Sequence, residues 1–155
     1  MENLQIKLDD LTAPDVADLL ADHLREMNHH SPPESVHALD LEDLKRPEIA
    51  FWTIWSGDQL VGCGALKQLD ATHGEIKSMR TAPAFRGKDA GKLMLRYILD
   101  EARSRGYRRL SLETGSMAAF EPARRLYESH GFSYCGPFET YVPDENSVSM
   151  TRDLG

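Results

Sequence analysis

The segment from Gly74 to Tyr97, GEIKSMRTAPAFRGKDAGKLMLRY, constrains the fold more than any other part of this chain. Glu75 to Thr81 reads as a strand, Ala82-Pro83 turns the chain, and Arg86-Gly87-Lys88-Asp89-Ala90-Gly91 opens an amphipathic helix. A glycine-bearing loop feeding a helix N-terminus presents unpaired backbone N–H groups and the positive end of the helix dipole. Arg86, Lys88 and Lys92 add side-chain cations at the same place. That combination suits a pyrophosphate. Basic turns of this kind also open ordinary solvated helices, and spacing alone does not choose between the two.

The flanking chain alternates strands and helices without a linker, repeat or low-complexity tract. Leu4 to Leu8 alternates apolar and polar, as a half-buried strand does. Thr12 to Asp15 reads as a helix start, with Thr12 as N-cap and proline in the first turn. Val16, Leu19, Leu20, Leu24 and Met27 form one face of that helix, which Pro32-Pro33 ends. A short second helix is expected from Val36 to Lys45. Ala50 to Trp55 and Leu60 to Leu69 read as a hairpin turning at Gly57-Asp58. The helix from Ala90 to Arg105 is expected to bury Leu93, Met94, Tyr97, Ile98 and Ala102 and to stop at Gly106. A strand from Tyr107 to Glu113, a helix between Pro122 and Gly131, and strands at Phe132 to Cys135 and Ser147 to Thr151 complete an α+β layer protein.

Composition narrows the class. With 155 residues and 41% hydrophobic content, the expectation is one domain, 1–155, around one sizeable core. No apolar run approaches a membrane span, and MENLQIKLDD lacks the basic and apolar regions of a signal peptide, so a cytoplasmic protein is expected. Cys63 and Cys135 read as small core residues rather than a disulfide framework. A formal charge of -7 argues against a nucleic-acid binder.

A second block makes the loop specific. Ala123, Leu126-Tyr127-Glu128 and Gly131-Phe132 follow Arg86-x-x-Asp89-x-Gly91 in an order and separation that resemble the GNAT superfamily of acetyl-CoA-dependent N-acetyltransferases. The family's loop reads Arg/Gln-x-x-Gly-x-Gly/Ala. The resemblance covers nearly the whole chain. It implies a three-layer fold, a central mixed and mostly antiparallel sheet flanked by helices. Two departures stand out: Asp89 replaces the middle glycine, and Phe120 stands where many relatives carry Asn.

The resemblance implies acetyl transfer from acetyl-CoA, as co-substrate, to a primary amine. A small-molecule acceptor is expected, with a protein lysine or N-terminus, or a non-catalytic acyl-CoA-binding module, as alternatives. Such chemistry must orient both reactants, take a proton from the ammonium and return one to the thiolate. By resemblance Tyr127 protonates the thiolate; a packing role in its helix is the alternative. Glu75, six residues before Thr81, is the first candidate for the base, against a surface glutamate paired with a lysine. Glu113 is the second, and a water-relayed base or none stays open. Met79, Arg80 and Thr81 match the strand that pairs with the pantetheine arm, and Arg86, Gly87, Lys88, Asp89, Ala90, Gly91 and Lys92 match the pyrophosphate cradle. Asp89 either faces the phosphate or caps the helix, and the cap is the preferred reading. Arg124 and Arg125 either reach a nucleotide phosphate or are simply solvated.

The acceptor side is less defined. Met27 to Ser35 links the first two helices, where the family frames its acceptor cleft. His29, His30 and His37 lack partners at zinc-ligand spacing, so no metal is expected. Phe51, Trp52 and Trp55 either line an aromatic acceptor pocket or belong to the core. No nucleic-acid or membrane partner is expected, and a homodimer is compatible with the sequence.

Overall fold

The structure, a computed structural model, describes residues 4–30, 41–87, 89–116, 118–136 and 146–154, with the side chains of residues 27–30 outside the description. Among these residues, strands β1 Leu4–Leu8, β2 Ile49–Ser56, β3 Gln59–Gln68, β4 His73–Thr81, β5 Arg109–Gly115, β6 Ser133–Cys135 and β7 Ser147–Asp153 make one sheet. Its spatial order is β1-β2-β3-β4-β5-β7-β6. Every neighbouring pair is antiparallel except the parallel pair of β4 and β5. Helices α1 Pro14–His30, α2 Ala90–Ser104 and α3 Glu121–Ser129 cover the sheet. This is the mixed, mostly antiparallel α+β architecture that the sequence predicts.

The sheet is buried on both faces, which is why β2 and β3 are apolar almost throughout instead of alternating. Neighbouring residues of β2 point to opposite faces, so Trp52 and Ile54 join the core under α2 and α3, while Phe51 joins the core under α1. The first core also takes Leu66, Ile76, Met94, Leu95, Ile98, Leu110, Leu112 and Tyr127. The second takes Val16, Leu19, Leu20, Leu44, Cys63 and Ala65. Each Leu or Ile buried this way contributes about 1.5–3 kcal/mol of transfer free energy.

Several local expectations shift. Leu93 is not buried but 37% exposed; the apolar stripe of α2 is turned by about one residue and buries Leu95 and Leu99 instead. Thr12 does not cap α1: its hydroxyl donates to Asp10 Oδ1 at 2.6 Å, and the carbonyl of Ala13 takes the first helical bond, from Ala17 N. Of the predicted helix from Val36 to Lys45, residues 36–40 lie outside the described residues. The rest is a single 3-10 turn at Asp43–Lys45, whose Leu44 is buried.

Candidate active site

The site begins with a defect in β4. Cys63 of β3 pairs with Arg80 and Ala65 pairs with Lys77, so Ser78 and Met79 together face the single residue Gly64. This is a β-bulge, and Ser78 takes the left-handed conformation, φ 54°, that such a kink needs. Gly64 makes the bulge fit. A Cβ there would sit 2.8 Å from both Met79 Sδ and Met94 Cγ. The carbonyl of Ser78 accepts a hydrogen bond from the Cys63 thiol at 3.2 Å, and burial pushes that thiol's pKa up to about 12. Cys63 is thus a buried thiol that keeps its proton at neutral pH, while Cys135 is a half-buried free thiol.

The bulge changes the side-chain alternation. Ahead of it, Ile76 packs with the α2-side core; past it, Met79 packs there and Arg80 turns towards α1. β4 and β5 pair only from His73↔Arg109 to Ile76↔Leu112 and then part, although β4 stays paired to β3 through Thr81 and β5 to β7 through Gly115. From Ser78 to Thr81 β4 therefore has no ladder partner in β5. An extended ligand can add itself there as a strand.

A cavity of about 580 Å³ occupies this opening, a volume suited to a cofactor-sized molecule. Met79, Arg80 and Thr81 line it from β4, and Arg86, Gly87, Asp89, Ala90, Gly91 and Lys92 line it from the loop and first turn of α2. The structure thus gathers the predicted coenzyme residues in one place, except Lys88, which lies outside the described residues. Gly87 has φ 78° and Asp89 φ 64°. Asp89 tolerates the left-handed turn as expected, but its side chain makes no capping bond, which corrects the cap reading; its carbonyl accepts from Leu93 N at 3.0 Å.

Tyr127 completes the wall from α3, with Phe120, Ala123 and Leu126 around it. Its ring is buried and meets Phe132 edge to face, centroids 5.7 Å apart. Burial raises the phenol's pKa above its usual value, so Tyr127 keeps its proton at neutral pH. Phe120, standing at the family's Asn position, serves as an apolar part of this wall.

The remaining candidates lie elsewhere. Glu75 does not line the cavity; it is buried on β4 with its Oε2 3.1 Å from Lys77 Nζ, both side chains shielded from water. Glu113 accepts from Ser147 Oγ at 3.4 Å and is also absent from the cavity wall. Arg124 Nη1 donates to the Gly115 carbonyl at 2.7 Å, and Arg125 pairs with Glu121 at 2.6 Å on an exposed face. Phe51, Trp52 and Trp55 do not line this cavity: Phe51 and Trp52 are core, and Trp55 Nε1 donates to Thr53 Oγ1 at 2.8 Å. The side chains of His29 and His30, and all of His37, fall outside the described residues.

Sequence reading finds the helix α1 but misses its part in the site. His23 and Glu26, one turn apart, both line the cavity. Glu26 Oε2 lies 2.6 Å from Arg80 Nη1 and 3.2 Å from Arg86 Nη2, so one carboxylate oxygen joins α1, β4 and the loop. The side-chain bond to Arg80 holds the Glu26 carboxyl below the usual range. Burial, with Arg80 adding to it, lowers His23 to about 4, so its imidazole is neutral. On sequence alone both residues read as ordinary polar positions of an amphipathic helix.

Residues 14–132 match the Acetyltransferase (GNAT) family. The chain is 60% identical over 97% of its length to all of YsnE of Bacillus subtilis (strain 168), an uncharacterized N-acetyltransferase. It is 37% identical over 99% of its length to the whole IAA acetyltransferase of Azospirillum brasilense. Among solved structures, a Klebsiella pneumoniae protein assigned as an acyl-CoA N-acyltransferase superposes with TM-score 0.76 at 27% identity, covering 98% of each chain. A GNAT acetyltransferase from Elizabethkingia anophelis, solved with acetyl-CoA bound, shares the fold with TM-score 0.73 at 19% identity, covering 99% of each chain. The splayed β4–β5 pair, the loop at the head of α2 and the tyrosine of α3 accordingly belong to an acyltransferase, and this chain is a member of the GNAT acetyltransferase family.

Proposed function

We propose that the protein transfers the acetyl group of acetyl-CoA to a primary amine of a small molecule. The observation that carries this reading is one cavity that joins Met79, Arg80 and Thr81 of β4, the first turn of α2 and Tyr127. In it the pantetheine arm adds to β4, the pyrophosphate meets the N–H groups of α2 with Arg86 and Lys92, and the thioester lies towards Tyr127. The amine nitrogen attacks the thioester carbon, a C–N bond forms, the C–S bond breaks, and Tyr127 protonates the departing thiolate. The ammonium first gives one proton to solvent, because Glu75, the first candidate base, is buried outside the cavity wall and paired with Lys77; the second N–H proton, released as the amide forms, restores the Tyr127 phenol. The relative named an IAA acetyltransferase supports a small-molecule acceptor over a protein.

Calorimetry with acetyl-CoA, followed by an amine screen that detects free thiol, tests the reading. Binding and thiol release with at least one amine are expected, and acetyl-CoA should raise the melting temperature as its concentration passes the Kd. A folded protein that binds no acetyl-CoA at millimolar concentration would sink the proposal. Binding without turnover of any amine would leave the non-catalytic acyl-CoA module in its place.

A further inference from the structure

Arg80 is an unusual wall for an amine-accepting site. The bulge at Ser78 turns its side chain towards α1, on the face of β4 away from Met79 and α2. The side chain is only 10% exposed and still lines the cavity. Nη1 is held by Glu26 at 2.6 Å, while Nε is buried with no hydrogen-bond partner among the described residues. A buried guanidinium donor left without an acceptor is costly, and native structures leave one open mainly where a ligand, ion or water completes it.

The charge around it is also unbalanced. Arg80 and Arg86 share one oxygen of Glu26, and the neighbouring His23 is neutral. When Arg86 turns to a pyrophosphate at the head of α2, Arg80 keeps Glu26 on one nitrogen and its fork is still not filled. A planar anion fits a guanidinium fork through paired hydrogen bonds, which a lysine cannot reproduce. The anion is assigned to the acceptor side because the Arg80 side chain leaves β4 on the α1 face, away from Met79 and α2, although Arg86 of the loop meets it on Glu26.

We propose that Arg80 binds a carboxylate of the acceptor, so that the acceptor class is an amine that also carries a carboxylate, amino acids among them. This rests on the acetyl-transfer reading of the cavity, and it makes Arg80 a specificity-determining side chain in addition to a main-chain contact of the coenzyme.

The test separates the two readings. N-acetylalanine and its methyl ester are titrated into the CoA-saturated protein by calorimetry, for wild type, Arg80→Gln and Arg80→Lys. The acid should bind wild type roughly tenfold to a hundredfold more tightly than the ester, the scale of a charge-assisted pair. That preference should disappear in Arg80→Gln and be only partly kept in Arg80→Lys. In turnover, amino acids should surpass their methyl esters in kcat/KM, and Arg80→Gln should raise KM for the acid more than for the ester. Equal binding of acid and ester to wild type, or binding of neither at tens of millimolar, overturns the proposal, and this arm needs no variant to fold. A tenfold loss of CoA affinity in Arg80→Gln with the acid preference intact places the guanidinium on the coenzyme phosphates and also overturns it. Acid preference without turnover of any amine supports the carboxylate site and counts against the enzyme.

Discussion

Tyr127 carries two duties at one position, since the ring belongs to the α2-side core and the phenol borders the cavity. Tyr127→Phe separates them. The ring and its edge-to-face contact with Phe132 persist, so the melting temperature and coenzyme affinity should change little. Turnover should fall by about tenfold to a thousandfold, as removal of a general acid does. Steady-state rates with an accepted amine check this; an unchanged rate, with chemistry rate-limiting, removes Tyr127 from the mechanism. Asp89 is a second residue with a divided account. Its left-handed backbone costs a non-glycine residue about 1 kcal/mol, and no capping bond offsets that. Asp89 also lines the cavity with Arg86 and Lys92, where a pyrophosphate is expected. Asp89→Gly should therefore stabilise the fold by about 0.5–1 kcal/mol in urea unfolding. It should also tighten CoA binding about threefold to tenfold at low salt, an advantage that shrinks at high ionic strength. Affinity that does not change would show that the carboxylate is out of reach of the phosphates.

β4 shows what the sequence does and does not disclose at the scale of an element. Its extent, the turn at Ala82-Pro83 and the start of α2 are legible because apolar periodicity, proline and glycine are local signals. The bulge is not, because it depends on how Gly62 and Gly64 of β3 let the partner strand approach, a contact between segments distant in sequence. The missed bulge hid the direction of Arg80, and with it the link to Glu26 of α1. The stripe of α2 misplaced Leu93 for a similar reason, since the sheet beneath decides which way an apolar helix is turned. Gly62 gives a direct test of the bulge as a functional device. A Cβ at this position would sit 2.7 Å from the carbonyl oxygen of Arg80, a main-chain atom that cannot rotate away. Gly62→Ala should cost about 1–3 kcal/mol of stability, as overpacking does. Because the displaced segment is the one proposed to pair with pantetheine, CoA affinity should fall at least threefold in protein that is still folded. A destabilised variant with wild-type affinity would detach the bulge from coenzyme binding.

At the scale of the whole molecule, both cores reach the cavity, the α2-side core through Ile54, Met94 and Tyr127 and the α1-side core through Cys63, and His23 and Glu26 of α1 stand against β4 and the loop. That junction makes the fold sensitive to acid. His23 has a folded-state pKa of about 4 against 6.5 when free, because burial and the adjacent Arg80 disfavour the imidazolium, with Glu26 partly opposing them. Between these values the unfolded chain binds a proton that the folded chain excludes, so stability falls as pH drops below 6.5 and continues to fall until about 4. The Glu26 carboxyl, lowered first by its bond to Arg80, acts in a more acidic window: its contribution is full above its ordinary value of 4.5 and is lost as pH falls through the folded value. The interval from pH 6.5 to 4.5 therefore separates His23 from Glu26, and comparison with a His23 variant removes the contribution of the other histidines. Two-state urea unfolding at pH 7 and pH 5 should show wild type losing about 2 kcal/mol more than His23→Gln, which has no proton to take up. Glutamine is less well packed at this site, so the variant starts lower at pH 7, and only the difference in slope carries the argument. Parallel pH profiles for the two proteins would mean that His23 titrates normally in the fold. The α1–β4 junction would then be open to water, and the closed wall that keeps the Arg80 guanidinium buried would not exist in solution.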